Sequence, residues 1–320
     1  MADVVLENYQ SEYKSMEFFS HKTEIDFMAQ RKWAFLFSVL LLLFSLGAII
    51  FNGLNFGLDF TGGMQIELSY DHSPDFNLIR NQLNKAGLED AMAQAYGSSK
   101  DVMIKLKSQK DLNQEQLVAK VLGALSGAKL QRAEVIGPQV GKALITNGIL
   151  AIIIALLGTM VYIALRFEYR FAISAIISLI HDPVLILGVF ALFHIEFDLI
   201  ALAAVLTIIG YSLNDTIVVY DRVRENFRKM RKSNAAEILN LSINQTLSRT
   251  IMTSGLTFAA IIALFIFGGP ILYGFSLALM IGIVIGTYSS IYVAGSLALL
   301  LGLERRHLLP SERKVVDSMP

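Results

Sequence analysis

The chain has 320 residues, of which 54 % are hydrophobic and only 17 % charged, with a mean hydropathy of +0.54. Soluble domains carry about 25 % charged residues, so too few polar side chains exist to cover a globule of this size, which argues against a soluble cytoplasmic enzyme. Lys plus Arg and Asp plus Glu both number 27 and cysteine is absent; there is no basic excess for nucleic acid and no thiol for disulfide or metal chemistry.

A bilayer core needs roughly 20 apolar residues in a helix. After a mostly polar segment, 1–30, Trp33 to Phe51 is a first such run, preceded by Arg31 and Lys32. It is too long for a signal-peptide core and no Ala-x-Ala site follows, so 31–51 reads as a retained anchor. A polar segment occupies 52–142. Five further spans are expected at about 143–165, 171–193, 199–220, 250–268 and 272–302, followed by a tail over 303–320.

Lys and Arg in the short connections set the orientation. Arg166 and Arg170 follow the second span, Arg222, Arg224, Arg228, Lys229, Arg231 and Lys232 follow the fourth, and Arg305, Arg306, Arg313 and Lys314 lie in the tail. The connections His194–Asp198 and Gly268–Pro270 carry no Lys or Arg. Both termini are thus expected in the cytoplasm, with 221–249 a basic cytoplasmic loop and 52–142 exported.

Within the exported segment, Met64–Tyr70 alternates as a strand and Pro74–Gly87 has helical spacing, with Gly87 as its stop. Ala91–Tyr96 reads as a strand, Gly97–Lys100 as a turn and Asp101–Lys107 as a second alternating strand. Asn113–Leu125 is a helix with Asn113 and Gln116 in capping-box spacing, and Lys129–Ile136 a last strand. The order β-α-β-β-α-β is that of the ferredoxin-like split unit. On the cytoplasmic side, Asn234–Ser248 is an expected helix, with Asn234 and Glu237 at its start and Ile238, Leu241, Ile243 and Leu247 on one side. It is either an interfacial helix or a plain connector.

Ionisable groups inside membrane spans are functional candidates by default. Asp215 precedes Arg222 by seven residues, roughly 10 Å along the helix, and Tyr211 and Ser212 share its face. Burial in hydrocarbon disfavours a carboxylate's charge, as a reversible proton carrier requires; a permanent ion pair is the alternative. Arg249 opens the fifth span, with Thr253 and Thr257 at four-residue steps, and is expected at a depth similar to Asp215. A movement changing the Asp215–Arg249 distance would couple proton uptake to shape; snorkelling to lipid headgroups is the other reading. His181-Asp182-Pro183 sits mid-span, as a proton relay or as a kink whose freed backbone is satisfied locally. Ala278, Gly282, Gly286, Ser290 and Ala294 form a small-residue stripe suited to close helix packing. No nucleophile–base pair or metal set appears, so neither an enzyme nor a cofactor is expected.

Several motifs resemble one family. GLDFTGG at Gly57–Gly63, with Gly57, Asp59, Gly62 and Gly63, resembles the segment that follows the first span in SecD/SecF proteins. GYSLNDTIVVYDRVRENFRK at Gly210–Lys229, SRTIMTSG at Ser248–Gly255, FGGP at 267–270 and the run 274–294 are similar to other segments of that family. The resemblance implies half of a twelve-span RND-like unit, completed by SecD, in the bacterial inner membrane. It further implies work with the SecYEG channel, the SecA ATPase and YajC, using the proton gradient to promote polypeptide export. By that resemblance Asp215, Arg249 and Thr253 serve proton passage. Half of a small-molecule exporter and a passive membrane scaffold are the rival readings.

Overall fold

The structure is a computed structural model and describes residues 23–107, 114–230 and 232–303. Its first elements are α1 (Arg31–Asn52), β1 (Asn55–Phe56), α2 (Leu58–Thr61), β2 (Gly63–Ser69), α3 (Phe76–Lys85), β3 (Met92–Tyr96), β4 (Ser98–Lys107), α4 (Gln114–Ala124) and β5 (Lys129–Ile136). There follow α5 (Pro138–Arg166), α6 (Tyr169–Leu192), β6 (Glu196–Phe197), α7 (Leu199–Lys229), α8 (Ala235–Phe267) and α9 (Gly269–Leu300). Six of these helices, α1 and α5 to α9, are long and apolar enough to cross a membrane. Asn113, Arg231, Arg305, Arg306, Arg313 and Lys314 lie outside the described residues.

Small side chains set the packing of the bundle. Along α9, Ala278, Ser290 and Ala294 are fully buried. A Cβ on Gly282 would stand 2.4 Å from Ile208 Cγ1 of α7, and one on Gly286 would stand 3.1 Å from Ser212 Cβ. The stripe therefore brings the α9 and α7 backbones together, where van der Waals packing and polar contacts replace a hydrophobic driving force. Gly188 of α6 meets α1 in the same way, its added Cβ falling 2.3 Å from Ser45 Cβ. Nearer the basic end of the bundle, Tyr220, Phe171, Phe167, Val223 and Phe227 form one apolar core. Here the Tyr220 hydroxyl donates to Ala294 O at 3.1 Å and lies 2.7 Å from Ser174 Oγ.

The basic stretch expected as a loop over 221–249 is mostly helix. α7 has 31 residues and α8 has 33, each over 45 Å long at about 1.5 Å per residue and so longer than a hydrocarbon core of about 30 Å. Glu225 pairs with Arg222 at 2.7 Å and Lys229 at 2.6 Å, at helical spacing. Asn226 donates to Ser242 Oγ at 2.8 Å and Gln245 Oε1 at 2.9 Å, fastening the end of α7 to α8. The expected capping box is present: Asn234 Oδ1 accepts from Glu237 N at 2.9 Å, and Asn234 N donates to Glu237 Oε2 at 3.2 Å. The segment Asn234–Ser248 is neither a separate interfacial helix nor a connector but the first half of α8. Ile238, Leu239, Ile243 and Leu247 join the bundle core, while Leu241 is half-buried. Before α1, the backbone N–H groups of Phe27 and Ile25 donate to Asn240 Oδ1 at 2.8 Å and Asn244 Oδ1 at 2.9 Å.

Between α1 and α5 the sheet order is β3-β4-β2-β5, antiparallel throughout. Met64, Ile66 and Leu68 alternate into the core on β2, with Ile79 and Leu83 of α3 and Leu117 and Val121 of α4 packed over them. Asp75 caps α3 by accepting from Asn77 N at 2.8 Å. Gly87 ends that turn at φ +71°, and Gly97 alone, at φ +68°, makes the β3–β4 turn. Both helices cover one face of the sheet. The opposite face, with Gln65, Met103 and Lys105, overlooks the ends of the membrane helices at β6, the start of α7 and the α8–α9 turn.

Candidate functional site

Asp215 projects from α7 into the bundle and is buried, at 3 % exposure. Among the described residues one group donates to its carboxylate: Ser254 Oγ of α8, at a long 3.5 Å from Oδ2. That hydroxyl also lies 2.9 Å from Thr287 Oγ1 of α9. A carboxylate taken out of water with a single long hydrogen bond is poorly compensated when charged. Asp215 thus sits where three spans meet, without an ion-pair partner among the described residues.

A second buried carboxylate lies nearby with the opposite character. Asp182 of α6 is fully buried, and its Oδ2 accepts from Ser212 Oγ of α7 at 2.5 Å and from Ser289 Oγ of α9 at 2.9 Å. Its Oδ1 lies 2.9 Å from His181 Nδ1. The far nitrogen of that ring, Nε2, is buried without a hydrogen-bond partner among the described residues, as is the Tyr211 hydroxyl. α6 runs through Pro183 as one helix, and the polar groups beside it bond across to α7 and α9. Ser212 lies one turn before Asp215 on α7, so that helix carries Asp215 and, one turn away, a hydroxyl that donates to Asp182 of α6.

Arg249 stands within electrostatic reach of Asp215 but makes no direct contact with it. Arg249 and Thr253 both lie on the exposed side of α8, and Arg249 forms no ion pair or side-chain hydrogen bond among the described residues. Thr253 Oγ1 donates to Arg249 O and Thr250 O, both at 3.0 Å, and Thr257 Oγ1 donates to Thr253 O at 2.8 Å. The face of α8 that reaches Asp215 instead carries Ser242, Thr246, Thr250 and Ser254, all buried. α8 therefore bears two polar stripes, and the sequence reading follows the one that contains a charge. Ser254, Thr287 and Ser289 are the groups it passes over. Their only signal is hydroxyl side chains in otherwise apolar helices.

The glycine-rich segment after α1 has a structural task on the opposite side. Gly57 N donates to Phe197 O at 2.9 Å, and Asn55 and Phe56 pair in parallel with Glu196 and Phe197. Asp59 Oδ2 accepts from Leu199 N at 3.1 Å, capping the start of α7 beside Asp198, whose Oδ1 accepts from Ala201 N at 2.7 Å. Asp59 thus caps a distant helix rather than its own turn. Gly63, at φ +155°, lets β2 begin where an added Cβ would stand 2.3 Å from Leu106 O. Gly62 adopts φ +73°. Burial pushes the Asp198 carboxyl above its usual range against its N–H bond, with Glu196 and Asp59 adding to the rise.

This is a six-helix membrane protein with carboxylates inside the bundle and one α+β domain after the first span. Residues 117–304 match the family described as protein export membrane protein SecD/SecF, C-terminal, and residues 47–74 match the SecD/SecF GG motif. Curated proteins named protein translocase subunit SecF are 46 % identical to it over 305 residues in Vibrio alginolyticus, covering 92 % of this chain and 97 % of that protein. The Pseudomonas aeruginosa protein is 46 % identical over 299 residues, covering 92 % and 98 %. The crystal structure of SecDF from Thermus thermophilus, described as a translocon-associated membrane protein, superposes with a TM-score of 0.76 at 35 % identity, over 87 % of this chain. This chain spans 39 % of the length of that one. The chain belongs to the SecD/SecF family of protein export membrane proteins.

Proposed function

We propose that this chain is an auxiliary subunit of the Sec protein translocase and that, paired with SecD, it uses the proton motive force to promote polypeptide export. SecYEG, SecA and YajC belong to this reading as the further partners that family membership implies. The observation that carries it is Asp215: a buried acid between three spans, held by one long hydrogen bond to Ser254. One proton crossing about 100 mV is worth about 2.3 kcal/mol, enough to shift a two-state equilibrium nearly fiftyfold.

In this reading Arg249 and Thr253 complete the proton path from the outer side of α8. A rotation of that helix changes the Asp215–Arg249 separation and so couples proton uptake to movement. His181, Asp182 and Ser212 form a second polar station one turn away. The distribution of Lys and Arg supports cytoplasmic termini, and the β-α-β-β-α-β order with β2 and β4 central supports a ferredoxin-like reading of the exported domain.

The test is precursor export by membrane vesicles carrying Asp215→Asn. Loss of the stimulation due to the proton gradient, with the variant still present in the membrane, is expected. Export at the normal gradient-dependent rate would remove the proton-carrier role.

A further inference from the structure

Beneath the open face of the sheet lies a cleft of about 640 Å³. Its roof is Gln65, Gln94, Tyr96, Met103 and Lys105, from three strands of the exported domain. Its floor is the start of α7, β6 and the α8–α9 turn, with Asp59, Glu196, Asp198, Ile200, Ile271 and Tyr273. The size is in the range of pockets that enclose a ligand, roughly 300–1,000 Å³.

The lining constrains what fits. Lys105 Nζ is committed to Glu196, at 2.8 Å from Oε1 and 3.0 Å from Oε2. Asp59 and Asp198 each spend one carboxylate oxygen on a helix cap. Three carboxylates thus face one cation, which disfavours phosphate or an anionic lipid headgroup and favours a cation. The Gln65 side chain makes no hydrogen bond among the described residues, and that of Gln94 has only the Met103 sulfur, at 3.4 Å. Two side-chain amides therefore remain able to give and accept hydrogen bonds, as a peptide backbone requires. Met103, Ile200, Ile271, Tyr96 and Tyr273 supply apolar contact.

We propose that this cleft is a docking site for an extended segment of the exported polypeptide, preferentially one carrying Lys or Arg among apolar residues. The inference rests on the export reading above and names where, on the outer side of the membrane, the substrate touches this chain. Unpaired amides, apolar walls and a negative balance suit a ligand of variable sequence.

The experiment places a photo-crosslinking residue at Gln94 on the roof, at Tyr273 on the floor, or at exposed Asn81 of α3 on the helix-covered side. Each variant is incorporated into vesicles with its partner subunits, and a precursor is arrested part-way through export. Crosslinks to the precursor from Gln94 and Tyr273, and several-fold fewer from Asn81, are expected. The Asp59→Asn/Asp198→Asn pair, which keeps acceptors for both caps, should lower the yield several-fold for a Lys-rich precursor segment and leave an uncharged segment unchanged. Precursor crosslinking equal at all three positions, or crosslinks from the cleft only to another membrane subunit, overturns the proposal. Gradient-stimulated export measured on the same vesicles separates the two failures. Stimulated export without cleft crosslinks refutes the docking site alone, whereas no stimulation by the unsubstituted chain refutes the export reading.

Discussion

Ser212 Oγ stands 2.5 Å from Asp182 Oδ2, so the hydroxyl one turn from Asp215 is committed to a different carboxylate. The two acids consequently differ in kind. Asp182 is held by two serines and a histidine across three helices, whereas Asp215 has one distant serine. Removing the Asp182 carboxyl leaves Ser212, Ser289 and His181 buried without their partner, which costs more than losing a single long bond. Asp182→Ala is therefore expected to lower the amount of folded protein in the membrane, and Asp215→Asn to leave it unchanged while abolishing export stimulation. Protease resistance of solubilised protein, read beside an export assay, distinguishes them; equal destabilisation by both would deny Asp215 its separate role.

Arg249 lies outside the packed core, so Arg249→Met removes charge without opening a cavity. Membrane levels and thermal unfolding should match those of the parent, while gradient-driven export falls to the unstimulated level. A variant that exports normally would assign Arg249 to the lipid boundary.

Gly282 tests the α7–α9 contact. A side chain there meets Ile208 at 2.4 Å, and Gly282→Val should destabilise the bundle by about 1–3 kcal/mol, the usual cost of overpacking. Adding Ile208→Ala returns the missing space, so the double variant should recover part of the lost stability in a thermal-unfolding scan. No recovery would mean that the helices do not meet at this pair.

Asp198 gives a pH signature. Its folded carboxyl is raised chiefly by burial, so the folded state keeps this proton at a pH where the unfolded chain has released it. Stability linked to this group is therefore greatest in acid and declines as pH rises from the ordinary carboxylate range through the raised value. Asn is an equally good cap, so Asp198→Asn should remove that decline. Unfolding of both proteins followed across weakly acid to neutral pH measures it; parallel curves would contradict the burial.

Residue order alone determined the six spans, because an apolar stretch of this length has few alternatives to a membrane helix. It also determined the strand and helix sequence of the domain between the first two spans, since Met64, Ile66 and Leu68 must share a face at period two, and the Asn234–Glu237 cap, which is local. Asp215 was legible for the same reason: a charge among apolar neighbours stands out without any knowledge of its partners. Only the tertiary structure decided which polar stripe of α8 turns inward, because Arg249/Thr253 and Thr250/Ser254 are equally helical in spacing and differ only in which packs on α7. The assignment of Asp59 to the start of α7, 140 residues away, was likewise a matter of assembly. Hydrogen bonds between helices depend on how the helices are placed, and that placement follows from packing around residues such as Gly282 and Gly286 rather than from any local pattern.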